Sequence, residues 1–149
     1  MTRMKTLAAV VALLALLPWA APAAAHDANE SLYKRVGGYD AIAAVVDDFL
    51  GRLSSDPQLA KFFVGHSTES LKRIRQLVVE QLCEATGGPC FYTGRSMKEV
   101  HQGLKISQAD WELAVKHLNE TFDKFKVPAK ERGELLGAVG GLQADIVEH

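Results

Sequence analysis

The strongest constraint on this chain is a period. From Asp40 to Ile146 its apolar residues recur in steps of three and four, and no stretch sustains alternation in twos. One face of a helix repeats every 3.6 residues, whereas a half-buried strand alternates, so the pattern predicts an all-α fold. Ile42, Val45, Val46, Phe49, Leu50 and Leu53 draw the first stripe, and a short turn after Pro57 presents Leu59, Phe62 and Phe63. Leu71, Ile74, Leu77, Val78 and Leu82 draw a second stripe, on a helix that starts after Ser67 or Thr68 and runs to about Ala85. Gly37-Gly38 cuts off any helix through Leu32 and Tyr33, and "TGGPCFYTG" stops the second long helix, because paired glycines and a proline do not continue one.

Ser96-x-x-Glu99 has the form of a capping box and opens a short helix that Gly103 closes, which puts Met97, Val100, His101 and Leu104 on one face. Ser107-x-x-Asp110 marks another start, leading into Trp111, Ala114, Val115, Leu118, Phe122 and Phe125. Pro128 opens a last helix striped by Leu135, Val139, Leu142 and Ile146. There is no internal repeat.

The first residues have a different character. Arg3 and Lys5 precede an apolar run from Leu7 to Leu17, Pro18 breaks it, and Ala23 and Ala25 are the small residues of a cleavage site. Residues 1–25 read as a secretory signal peptide. The apolar core has 11 residues, whereas a spanning helix needs about 20, so the expectation is a protein exported to the periplasm with no membrane anchor after cleavage. Residues 26–149 then form one domain. Without Arg3 and Lys5 the 17 basic residues fall to 15 against 18 acidic ones, a formal charge of −3. That balance argues against nucleic acid as a partner. Cys83 and Cys90 lie seven apart in "CEATGGPC". In an oxidising compartment a disulfide is the leading expectation; free thiols and a shared metal stay open, although seven is not zinc-knuckle spacing.

Hydrolase and nucleotide chemistries lack their motifs: there is no GxSxG, no HExxH, and no strand to lead a glycine-rich loop into a helix. His26, His66 and His149 are scattered without ligand spacing. What remains is one histidine, His101, on the inward face of a short helix beside Met97 and Val100. Such an imidazole either pairs with a buried polar group or holds a metal carried by something apolar. Haem is such a carrier, since its iron takes one axial His while the macrocycle packs against aliphatic and aromatic side chains.

The stretches "LYKRVGGYDAIAAVVDDF" from Leu32, "LAKFF" from Leu59, "GGP" at Gly87 and "YTGRSMKEVHQGLKIS" from Tyr92 resemble the truncated globins, most closely their group I branch. The resemblance covers nearly all of residues 26–149. It implies a two-over-two helical sandwich around haem b (iron protoporphyrin), with His101 as the proximal iron ligand and a diatomic gas (O₂, NO or CO) as the partner. It also implies that Phe63 wedges against the haem face, that Met97, Val100, Ile106 and Trp111 line the proximal and lateral walls, and that Val139 closes the far side. Tyr92, Lys98 and Arg95 are candidates for the haem propionates.

The sequence departs from the group I pattern on the distal side. Members often carry Tyr where "DDFLGR" has Leu50, and Gln where counting back from Gly87-Gly88 places Ile74 and Val78. Gln76 and Gln81 are near enough that a shifted register would bring one inward. An apolar distal wall would deny O₂ a hydrogen bond to its partial negative charge, worth about 1.5–3 kcal/mol. The expected function is gas carriage, sensing or NO detoxification in the periplasm, the last of these requiring an electron-donor protein. The competing reading is a non-haem helical binding domain in which His101 is structural.

Overall fold

Residues 30–148 are described in a computed structural model, and every regular element among them is helical. The proposed leader, residues 1–25, lies outside the described residues. Ser31 opens α1 (Leu32–Arg35) by accepting a hydrogen bond from the Lys34 amide. Gly37 (φ 99°) and Gly38 (φ 77°) then turn the chain through left-handed backbone into α2 (Gly38–Ser55). A side chain at Gly37 would also press its Cβ to 3.0 Å from that of Ala41. The glycine pair is therefore required twice over, by dihedral and by space.

A 3-10 turn (Ala60–Phe63) leads to α3 (Thr68–Ala85), capped by Ser67. The predicted capping box forms, Ser96 with Glu99 opening α4 (Met97–His101), and the start predicted at Ser107 is a second box, with Asp110, opening α5 (Gln108–Lys124). The last helix departs from expectation. It is not one stripe from Pro128 to Ile146 but two pieces, α6 (Ala129–Gly140) and α7 (Gln143–Ile146). Gly137, Gly140 and Gly141 fall within five residues, and glycine costs about 1 kcal/mol per helical position relative to alanine. The chain breaks where that cost accumulates, at Gly141 and Leu142.

Two clusters hold these helices together. Ile42, Ala43 and Val46 of α2 pack on Val79 and Cys83 of α3, while Leu118 and Phe122 of α5 pack on Leu135 of α6. Val36, at the end of α1, touches both. Polar ties reinforce the seams between them. The buried Arg35 guanidinium bonds Glu131 and Glu134 of α6, and Asp48 of α2 accepts from Lys124 and Thr121 of α5 as well as from Arg52. Those donors, Lys124 first, hold the Asp48 carboxyl well below the usual range.

Cys83 and Cys90 are joined in a disulfide, with Cα atoms 5.7 Å apart, which settles the alternatives left open by their spacing. It ties the last turn of α3 to the connection leading to α4. For a loop this short the chain-entropy account assigns about 2 kcal/mol. The unreduced protein is therefore expected to show no free thiol after denaturation, and the Cys83→Ala/Cys90→Ala double variant to lose about 2 kcal/mol in urea unfolding. An unchanged unfolding midpoint would show that the tether adds nothing.

Candidate functional site

Helices α2 to α6 surround a cavity of about 670 Å³ whose walls are almost entirely apolar. The inward stripes close on one another only in part; much of each faces this space. Leu50, Phe49 and Val45 of α2 form one wall, and Ile74, Leu77 and Val78 of α3 another. Phe62 and Phe63 enter from the 3-10 turn, Met97 and Val100 from α4, Ile106 from the following loop, Trp111 and Val115 from α5 and Val139 from α6. A cavity lined in this way rewards an apolar occupant.

Into this setting α4 delivers His101. Its Nδ1 lies 2.8 Å from the Met97 carbonyl oxygen one turn back. A carbonyl only accepts, so Nδ1 carries the proton and donates. In the neutral ring the lone pair then sits on Nε2, which has no hydrogen-bond partner among the described residues. His117 provides the contrast, since its Nε2 meets Asp56 at 2.8 Å and its Nδ1 meets Glu120 at 3.4 Å. One histidine is committed to carboxylates, and the other offers a nitrogen ligand on an apolar wall.

The phenylalanine wall is positioned from α5. Asp56 accepts from the amides of Gln58 and Leu59 while it holds His117, and Gln58 donates its side-chain amide to buried Asp110 at 2.7 Å. The Gln58 bond, with the Ser107 cap behind it, brings the Asp110 carboxyl down to about 2. Lys61 adds a longer contact at 3.5 Å. The turn carrying Phe62 and Phe63 is thus pinned to α5 at two points.

Residues 31–148 match the family of bacterial-like globins. The chain is a bacterial-like globin. The group 1 truncated hemoglobin GlbN of Mycolicibacterium paratuberculosis is 38% identical over 116 residues, covering 78% of this chain and 83% of the relative. The protein of the same description from Nostoc commune is 33% identical over 117 residues, covering 78% and 97%. Among solved structures, the truncated hemoglobin from Tetrahymena pyriformis in its Fe(III) form superposes with a TM-score of 0.73 at 21% identity, covering 80% of this chain and all (100%) of that one. The 2/2 hemoglobin from Synechococcus sp. PCC 7002, in the cyanomet state with covalently attached heme, gives 0.72 at 25% identity, covering 80% and 100%. The expected two-over-two helical fold is therefore the fold of this globin.

In this globin the residues singled out from sequence largely converge. Leu50, Phe63, Ile74, Val78, Tyr92, Met97, Val100, His101, Ile106, Trp111 and Val139 all line the cavity. Lys98 does not: it is exposed on the outer face of α4, as is Arg95 just before the helix. Tyr92 lines the cavity with its ring, but its hydroxyl is spent, donating to the Arg95 carbonyl at 2.6 Å. The two distal glutamines separate. Gln76 bonds Tyr39 and Glu80, away from the cavity, whereas Gln81 lines it and has no side-chain partner among the described residues.

Sequence reasoning passed over His66 and Lys126, two exposed side chains on the cavity rim. Lys126 stands in left-handed backbone (φ 53°) between α5 and α6, a conformation that nothing in "KFKVP" announces. Leu77, Val115, Leu142 and Ile146 lie on the same stripes as the predicted residues, and that periodicity was the signal for them.

Proposed function

We propose that this globin binds haem b in the central cavity, with His101 as the proximal iron ligand, and takes a diatomic gas on the opposite face. The observation that carries the reading is the Nδ1–H bond from His101 to the Met97 carbonyl. It fixes the tautomer, orients the ring and leaves Nε2 as the only donor atom an iron would need from the chain. The cavity fits the group in its other requirements: apolar walls for a flat macrocycle, and His66 and Lys126 at the rim, where carboxylates meet solvent. Haem supplies an iron centre able to bind O₂, NO or CO. The chain's own residues do the rest. Phe63, Met97, Val100, Ile106, Trp111 and Val139 exclude water and fix the plane of the macrocycle, while Leu50, Ile74 and Val78 face the gas.

Lys98 and Arg95 do not line the cavity; His66 and Lys126, which do, take the propionate role in this reading. NO oxidation by O₂ is its enzymatic form and requires an electron-donor protein. Export to the periplasm after cleavage behind Ala25 accompanies it, resting on the pattern of residues 1–25. Among the described residues no helix is long and apolar enough to cross a membrane. The decisive experiment is an absorption spectrum of the purified, reduced protein with and without CO. An intense visible band that moves on adding CO is expected. Colourless protein that stays colourless after incubation with haem would instead support the non-haem helical binding domain, with His101 structural.

A further inference from the structure

We propose that Glu148 is a positioning residue for the His101 imidazole, an inference that rests on the ligand role of His101. Helix α4 has five residues, too few to hold its own last turn. Its first turn is secured by the Ser96–Glu99 capping box. At the other end, where His101 sits, the chain continues through Gln102 into a loop that has no regular structure of its own. That loop is grasped from outside. The two oxygens of the Glu148 carboxylate accept the amides of Gly103 and of Lys105, the latter at 2.9 Å, and the Glu148 amide donates to the Ile106 carbonyl at 2.9 Å.

The backbone carries the mark of this grip. Gly103 is left-handed at φ 85°, which glycine tolerates, but Lys105 is left-handed at φ 55°, which a lysine adopts only where something holds it there. Two such residues around Leu104 turn their amides toward one carboxylate. The Leu104 amide in turn donates to the His101 carbonyl at 3.1 Å, so the clamped loop and the last turn of α4 move as one. Glu148 is itself placed by α7, through buried Val147 and its amide bond to the Gln143 carbonyl. Ile146 and Ile106 meet the cavity on either side of this clamp. The carboxylate therefore sets the angle at which the imidazole enters the cavity.

The test uses the full chain with Glu148→Ala and Glu148→Gln, and two readouts. Amide exchange at Gly103 and Lys105, measured by NMR in the haem-free protein, reports the clamp. The iron–histidine stretching band of the reduced, haem-loaded protein, read by resonance Raman, reports the imidazole. Bonds to a charged acceptor are the strong kind, so exchange at both amides is expected to accelerate at least about tenfold in Glu148→Ala. The band is expected to shift or broaden. Glu148→Gln, which keeps one carbonyl acceptor, should fall between. Unchanged exchange overturns the clamp, and faster exchange with an unmoved band overturns the positioning role, leaving Glu148 a structural cap. A wild-type protein that binds haem without an iron–histidine band overturns the ligand assignment itself, and the inference with it.

Discussion

His101→Ala is expected to abolish stoichiometric haem binding. Among the described residues His101 offers the one unengaged imidazole on the cavity wall proper; His117 is held between Asp56 and Glu120, and His66 stands exposed at the rim. Loss of a group that merely orients a metal ligand costs about 10- to 100-fold in affinity. Loss of the ligand itself should cost more than about a hundredfold, enough that the variant elutes without pigment when the parent holds one haem per chain. The helices do not depend on this side chain for their packing, since His101 belongs to neither buried cluster. Far-ultraviolet circular dichroism should therefore match that of the haem-free parent, and added imidazole should restore part of the binding. A variant that retains one haem and an unchanged ferrous spectrum would remove His101 from the iron.

The stripes of Ile42 to Leu53 and of Leu71 to Leu82 were legible because helix periodicity is a property of neighbouring residues, and the burial each stripe seeks is the same whatever covers it. For the same reason the cavity walls were legible while the cavity was not. Nothing local distinguishes Val46, fully buried against α3, from Leu50 one turn on, which faces the space between helices. The capping boxes at Ser96 and Ser107 could be read because both partners lie within one turn. The pairing of Glu148 with Gly103 spans 45 residues and depends on two left-handed residues, of which Lys105 gives no sign in sequence. Lys98, three residues before His101 on α4, is exposed and does not line the cavity, which the local pattern around Ser96-x-x-Glu99 could not show. His66 and Lys126, which do line the cavity, come from connections whose paths are fixed by tertiary contacts such as the Asp56–His117 pair.

The distal wall yields the second large effect. Leu50, Ile74 and Val78 all line the cavity, and none can donate a hydrogen bond. O₂ draws partial negative charge when it binds a ferrous centre and gains from a donor, whereas CO needs one far less. The wild-type protein should therefore release O₂ quickly while retaining CO. Leu50→Tyr places a phenol on the same wall. A hydrogen bond to a charged acceptor is worth about 1.5–3 kcal/mol, so O₂ release measured by stopped flow should slow by about tenfold to a hundredfold, with CO release changed much less. Leu50 packs at the edge of the α2–α3 cluster and also lines the cavity, which gives a larger side chain space to enter. If wild type already releases O₂ as slowly as the variant, a donor is present on the ligand side, and Gln81 is the side chain that can supply it. Gln81→Leu separates the two cases: it accelerates O₂ release if the amide reaches the ligand and leaves the rate unchanged if the distal wall is apolar.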